Sequence, residues 1–214
     1  MNFVRHSNLE GKHALLGASR YQWLNDDEEA VLKRMRSSYA TDIGTILHAV
    51  AADRIRYGFK LSNGEKKSVL LELLKNNIPE IVASALEFDF IFENLKQYVN
   101  DAIGYMMKPE VVLYYSDYCF GTTDAIQYSE KNKFLRIHDL KTGTTPAHME
   151  QLYIYEALFC LEYGIKPYEI EAECRIYQGG EIIFANPTVE DITPIMEKII
   201  SLSKFLETNN EREE

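Results

Sequence analysis

The chain has 214 residues, an ordinary globular composition and a formal net charge of −10 at pH 7. This length supplies one sizeable core but not two full domains, so we expect a single domain over residues 1–214. No apolar run reaches the length of a membrane span, and the first residues lack the apolar core of a signal peptide. These features exclude an integral membrane protein and predict a cytoplasmic one.

The charge and the cysteines limit the classes of partner and of metal site. A net charge of −10 opposes binding to nucleic acid, because lysine and arginine supply much of the affinity for phosphate. The first 60 residues carry a slight excess of basic residues, so a nucleic-acid track would use this part. The cysteines Cys119, Cys160 and Cys174 are odd in number and widely spaced, which argues against a disulfide framework and against a CxxC zinc site.

Two helices are predicted before residue 60. The first runs from Arg20 to Arg36 with Ser19 as its N-cap, and its acidic start and basic end suit the helix dipole. The basic end is either a solvated helix face or a contact for a DNA backbone. The second helix begins near Thr41 and stops at Gly58, a residue type that commonly follows a helix C-terminus.

His48 lies on a stripe of small and apolar residues of the second helix. The stripe lets this helix approach another element closely; its other members are Gly44, Ala51, Ala52 and Ile55. A histidine on such a face is either a hydrogen-bonded core residue or a ligand. Residues 61–107 are predicted to form a helical insertion that caps or flanks a cleft, with one helix over 67–77 and a long amphipathic helix from Pro79 to Met107.

After Pro109 the pattern changes from helix to strand. The predicted strands cover residues 110–115, 121–128, 134–141, 169–177 and 181–185, with hairpin turns at 129–133 and 178–180. A helix over 147–163 separates the third and fourth strands, and another follows Pro187 and ends near Thr208. The predicted fold is therefore α/β: a mixed central β-sheet flanked by helices, with an N-terminal helical part.

Acidic residues and a lysine occur on neighbouring predicted strands. Asp124 lies on one strand, and Asp139 and Lys141 share a face of the next. Carboxylates suit Mg²⁺ or Mn²⁺, which activates water for attack on phosphate, and a lysine stabilises the developing charge. The set therefore suits phosphodiester hydrolysis. On these residues alone, a cross-strand salt bridge is the alternative, with Gln151 and Tyr155 as ordinary helix residues.

Four motifs occur in a fixed order: GTILH at 44–48, GTTDAI at 121–126, HDLKTG at 138–143 and QLYIY at 151–155. This ordered set resembles the PD-(D/E)XK nuclease superfamily, specifically its RecB-like exonuclease branch and the small stand-alone members found in phage recombination systems. The resemblance implies a restriction-endonuclease-like core that holds Mg²⁺ or Mn²⁺. The implied metal ligands are His48, Asp124, Asp139 and the backbone carbonyl of Leu140; the implied catalytic residues are Asp124, Asp139 and Lys141; the implied substrate-binding residues are Gln151 and Tyr155.

The resemblance also implies a function. It is that of a metal-dependent DNA exonuclease that leaves 5′-phosphates, acts in recombination or repair, and lies in the host cytoplasm if the chain is phage-encoded. A homo-oligomer or a recombination protein as further partner stays open. Some relatives hold an iron–sulfur cluster with four cysteines, and we predict none here. Several relatives have a glutamate where this chain has His48, which leaves the number of metal ions open.

A second hypothesis belongs to another class of protein. In it, the chain keeps the nuclease fold but is a non-catalytic interaction module that binds a DNA-processing or defence protein. The net charge of −10 supports this hypothesis. The intact set of two acids and a lysine argues against it, because burying such groups together without a use is costly.

Overall fold

The computed structural model describes residue 7 and residues 14–16, 18–84, 86–143 and 145–210, apart from the side chains of residues 19–21 and 210. This part of the chain contains five strands and six α-helices. The helices are α1 (Glu28–Tyr57), α2 (Lys66–Lys75), α3 (Glu80–Ser84), α4 (Phe88–Gly104), α5 (Glu150–Tyr163) and α6 (Val189–Asn210). The strands are β1 (Lys108–Ser116), β2 (Cys119–Ser129), β3 (Phe134–Leu140), β4 (Glu171–Gln178) and β5 (Glu181–Ala185).

The strands form one mixed sheet in the order β1-β2-β3-β4-β5. Neighbouring strands are antiparallel, except for the parallel pair β3 and β4. A parallel pair needs a crossover connection, and α5 supplies it. The predicted α/β fold, with a mixed sheet flanked by helices and an N-terminal helical part, is confirmed.

Each face of the sheet has its own apolar core. On one face, helices α1 to α4 pack against β2, β3 and β4 through Leu47, Phe92, Leu95, Tyr98, Ala125, Leu140 and Tyr177. On the other face, α5 and α6 pack through Leu113, Ile137, Leu152, Leu158, Ile176 and Ile192. Residues 61–107 are thus largely helical, and α4 contributes directly to the core on the sheet.

The predicted break between two N-terminal helices is wrong, because α1 runs without interruption from Glu28 to Tyr57. The polar residues at the expected break bond to the helix itself: the hydroxyl of Ser37 donates to the Lys33 carbonyl, and that of Ser38 to the Met35 carbonyl. Because these hydroxyls donate to the preceding turn, the two serines do not act as the cap of a new helix.

The N-cap of this helix is Asp27 rather than Ser19. The Asp27 carboxylate accepts a hydrogen bond of 2.8 Å from the Ala30 N–H, whereas Ala18–Asn25 form a 3₁₀ helix. The predicted end is confirmed: Gly58 has a φ of +71°, and its N–H bonds to the last carbonyls of α1.

The predicted long helix from Pro79 to Met107 is also wrong, because α3 ends at Ser84 and α4 begins at Phe88. The sequence between them has neither glycine nor proline, so no local signal marks the break. Its physical reason is packing: Val82 of α3 and Phe88 of α4 are both buried in the same core. In a straight helix these two would lie about 120° apart, and the exposed Ile81 would share the face of Phe88. No helix in the described ranges is long and apolar enough to cross a membrane.

Candidate metal and catalytic site

The candidate site lies where β2 and β3 separate, beneath α1 and beside the start of α5. The β2–β3 ladder ends at the pair Ala125–His138, whereas β3 stays paired with β4 as far as Leu140. In place of a strand partner, the Leu140 N–H donates to Oδ2 of Asp124 at 2.9 Å. The Asp124 carboxylate is therefore fixed in the opening between the two strands.

Regular strand alternation is interrupted at Asp124. Cys119 packs into the core beneath α5, but Ala125 packs into the core beneath α1, although an even separation would place both on one face. On β1, the residue opposite the interruption is Glu110, which has a left-handed φ of +54°. This irregularity lets Asp124 reach both β3 and α1, and it was not predictable from the spacing of residues in β2.

His48 reaches the site from α1. Its Nδ1 lies 3.3 Å from Oδ1 of Asp124. Gly44, one turn earlier, allows the close approach of α1 to the loop after β3, because a Cβ there would lie 3.2 Å from Oγ1 of Thr142. Burial disfavours a charge on His48, but the hydrogen bond and charge of Asp124, together with the charge of Asp139, raise its pKa above the ordinary value.

Asp139 and Lys141 form the second half of the site. Nζ of Lys141 lies 3.1 Å from Oδ1 of Asp139, which accepts its hydrogen bond, and 3.0 Å from Oδ2. The contact with Oδ2 is poorly directed, so this buried oxygen accepts no hydrogen bond among the described residues. Burial and the charge of Asp124 raise the pKa of Asp139 to about 6, against the opposing effect of Lys141.

Gln151 and Tyr155 connect the lysine to β2. Oε1 of Gln151 accepts from Nζ of Lys141 at 2.9 Å, and its Nε2 donates to the Tyr155 hydroxyl at 3.2 Å. That hydroxyl donates to the Thr122 carbonyl at 2.7 Å. The six predicted side chains of the site thus form two connected groups. One is His48 with Asp124, and the other is Asp139 and Lys141 with Gln151 and then Tyr155.

A cleft of about 480 Å³ opens at the His48 side of the site. Its walls include residues to which the sequence assigned no individual role: Thr45, Ala49, Glu110, Thr122 and Thr123. Glu110 adds a second carboxylate to the cleft, beside Asp124, and its Oε2 also lies 3.2 Å from Nη2 of Arg56. Glu110 reaches the cleft because the pairing of β1 with β2 places it opposite Asp124. Its position in the sequence, directly after Pro109, did not indicate this.

The residues of the site suit a divalent cation in type, but their side chains are not arranged as a closed metal site. Among the described residues, no three histidine, cysteine, aspartate or glutamate side chains are grouped closely enough to hold a metal ion. Two carboxylates, an imidazole and the carbonyl of Leu140 nevertheless form a donor set that Mn²⁺ and Mg²⁺ accept. Oδ2 of Asp139 accepts no well-directed hydrogen bond, although the Lys141 ammonium lies 3.0 Å from it.

The three cysteines are free thiols that pack in or against the core. Cys160 of α5 and Cys174 of β4 are buried in the core between this helix and the sheet, and Cys119 is half-buried. Burial raises the pKa of the Cys160 thiol to about 12, which keeps it protonated. These thiols therefore behave as small apolar groups of the core.

Comparison with known proteins gives one match. The sequence model of the family described as "Protein of unknown function (DUF2800)" matches residues 13–171. No curated protein and no solved structure matches the chain.

Proposed function

The chain belongs to the DUF2800 family, whose description assigns no activity, and we propose that it is a metal-dependent DNA nuclease. The proposed reaction is hydrolysis of phosphodiester bonds to 5′-phosphate products, most plainly as an exonuclease in DNA recombination or repair. The proposal rests on the motif resemblance together with the contacts of the site.

One observation carries the proposal: a buried carboxylate with an unsatisfied oxygen lies beside a lysine that a second side chain orients. Asp139 is 2% exposed, and Lys141 is hydrogen-bonded both to it and to Gln151. A salt bridge with only a structural role requires neither a raised pKa of its carboxyl group nor a second hydrogen-bond partner for its lysine. Buried groups with perturbed pKa values at a cleft are typical of functional sites.

Each residue has a distinct proposed role. His48, Asp124, Asp139 and the Leu140 carbonyl would hold the metal ion, which when bound supplies an activated water and neutralises phosphate charge. Lys141 orients the attacking water and stabilises charge on the phosphate oxygens. Gln151 holds the lysine amine in place, and Tyr155 holds Gln151 against β2. Both also offer polar groups to a DNA backbone.

The interaction module is the second candidate, and the charges favour it. Two of the basic residues of α1 that a DNA track would use are engaged: Arg54 pairs with Glu65 at 2.7 Å, and Arg56 pairs with Asp53 at 2.7 Å. The described side chains also form no closed metal site. A chain of this kind would keep the fold, bind a DNA-processing or defence protein, and cleave nothing.

A cleavage assay separates the two candidates. End-labelled single-stranded DNA, linear duplex and closed circular duplex are incubated with the protein in Mg²⁺, in Mn²⁺ and in EDTA, beside Asp139→Ala and Lys141→Ala. We expect metal-dependent loss of a linear substrate, intact circles, and a reduction of at least about a hundredfold in both variants. The exposed Lys108→Ala serves as the matched control and should cleave normally.

Three outcomes would overturn the proposal in whole or in part. Cleavage of circles would replace the exonuclease by an endonuclease. Full activity in either variant would remove the proposed catalytic group. Absence of cleavage of every substrate by the wild-type protein would favour the interaction module.

A further inference from the structure

The two edges of the sheet differ in how their backbone is protected. On the outer strand β1, Pro109 lacks an N–H, and the Tyr114 N–H donates to Oε2 of Glu162 at 2.8 Å. At the opposite edge, no described strand or side chain pairs with the outer backbone of β5. Edge strands without proline, lysine or a covering side chain are sites of pairing with another chain.

The side chains of β5 are exposed on both faces of the sheet. Ile182 is 37% exposed, Ile183 44% and Phe184 68%. Alternation places Ile182 and Phe184 on one face and Ile183 on the other, so neither face is covered. The only charge in this strand is Glu181, at its first position. An edge strand with unpaired backbone groups and exposed apolar side chains is typical of a surface that pairs with another strand, and not of an edge that stays solvated.

The hairpin that joins β4 to β5 determines which backbone groups point outward. Gly179 and Gly180 have φ angles of +62° and +83°, and Gln178 pairs directly with Glu181, as in a two-residue hairpin. The pair flanking such a loop is hydrogen-bonded, and bonded pairs then alternate. Ile183 therefore directs its backbone groups toward Ile176 of β4, whereas Ile182 and Phe184 direct theirs outward.

We propose that β5 pairs antiparallel with β5 of a second copy, about a twofold axis at Ile183. In this register, Ile182 lies opposite Phe184 of the partner subunit, and the outward backbone groups of the two residues bond to each other. Ile183 lies opposite the partner's Ile183 in a non-bonded pair, where side chains are closest. The two sheets join into one continuous sheet.

The charges along β5 and the size of the interface are also compatible with pairing to a second copy. Glu181 lies opposite the partner's Ala185, so no like charges face each other inside the ladder. The ladder is five residues long, and its contact area is well below the roughly 1,600 Å² of a standard stable interface. The dimer is therefore weak and concentration-dependent. Because each copy carries a charge of −10, salt strengthens it by screening the repulsion.

Charge-swap variants test this interface by sedimentation velocity on the full chain at micromolar to submillimolar concentration. Wild-type protein should dimerise as its concentration rises. Ile183→Lys and Ile183→Glu should each be monomeric, because like charges meet at the twofold axis, and their equimolar mixture should form a heterodimer. Val112→Lys, on the protected edge strand β1, is the matched control and should dimerise like the wild type.

A second variant keeps the test independent of charge. Ile183→Cys should form a disulfide-linked dimer on mild oxidation, because residues of a non-bonded antiparallel pair lie within disulfide reach, whereas Glu181→Cys should not. Wild-type protein that stays monomeric at every concentration would overturn the proposal. So would a dimer that persists unchanged in Ile183→Lys, or a mixture of the two charge variants that fails to associate. None of these results depends on nuclease activity.

Discussion

Glu156 and Asp139 are both buried carboxyl groups, but their surroundings differ. Asp139 has the Lys141 ammonium beside it, whereas Glu156 is 3% exposed and its Oε2 has no hydrogen-bond partner among the described residues. Burial, with a smaller effect of the charge of Asp191, raises the pKa of Glu156 to about 8. Glu156 is therefore mostly protonated at neutral pH and acts as a core residue of α5.

Glu156 should make the stability of the protein fall as pH rises. Its folded pKa of about 8 lies above its ordinary value of 4.5, so the folded state holds the proton more tightly, and this stabilisation is lost as pH rises toward 8. Between pH 6 and pH 9, wild-type protein should lose roughly 2–3 kcal/mol of unfolding free energy that Glu156→Gln keeps. Urea unfolding at both pH values measures the difference.

The matched control for this prediction is Glu150→Gln, an exposed carboxyl on the same helix. It should follow the pH dependence of the wild type. Equal pH dependence in wild type and Glu156→Gln would show that Glu156 is already ionised in the folded protein.

Gly121 is required by the position of Tyr155. A Cβ at residue 121 would lie 2.9 Å from Cε1 of the tyrosine ring, so Gly121→Ala must displace the ring and weaken its bond to the Thr122 carbonyl. We expect a loss of about 1–3 kcal/mol in unfolding free energy. Gly104→Ala, which meets nothing within 4 Å, should be neutral or stabilising. Equal stability of the two variants, measured by thermal unfolding, would contradict the close contact.

At the scale of elements, the strands could be predicted because their signals are local. The alternation of Ala172, Cys174 and Ile176 and the two-glycine turn before β5 determine β4 and β5 without reference to the rest of the chain. Two helix boundaries, by contrast, could not be predicted from the sequence. The continuity of α1 depends on how serine side chains bond, and the break before α4 depends on packing against the core, so neither follows from periodicity.

The correct start of α1 gives a prediction at this scale. Asp27→Ala removes the side-chain acceptor for the Ala30 N–H and should cost about 1 kcal/mol of unfolding free energy. Asp42→Ala, an exposed substitution inside the same helix, should cost nothing or stabilise it slightly. Chemical denaturation of both variants measures this. A larger loss for Asp42→Ala than for Asp27→Ala would contradict the assignment of the cap.

At the scale of the whole molecule, the site combines residues from three layers. His48 comes from a helix on one face, Asp124 and Asp139 from the sheet, and Gln151 from the helix on the other face. The order of the motifs predicted which residue types are involved. It did not predict that His48 contacts Asp124 rather than Asp139, nor that Glu110 enters the cleft. Both depend on the interrupted strand alternation at Asp124 and on the left-handed backbone of Glu110.

The most direct test of the site is a calorimetric titration of the wild-type protein with Mn²⁺, without DNA. We expect saturable binding at pH 7.5, weakened at least about tenfold in Asp124→Asn and in Asp139→Asn and unchanged in the exposed Asp42→Asn. Binding should also weaken below pH 6, as Asp139 becomes protonated. Wild-type protein that binds no Mn²⁺, or that binds it as tightly after either site substitution, would contradict a metal site at Asp124 and Asp139.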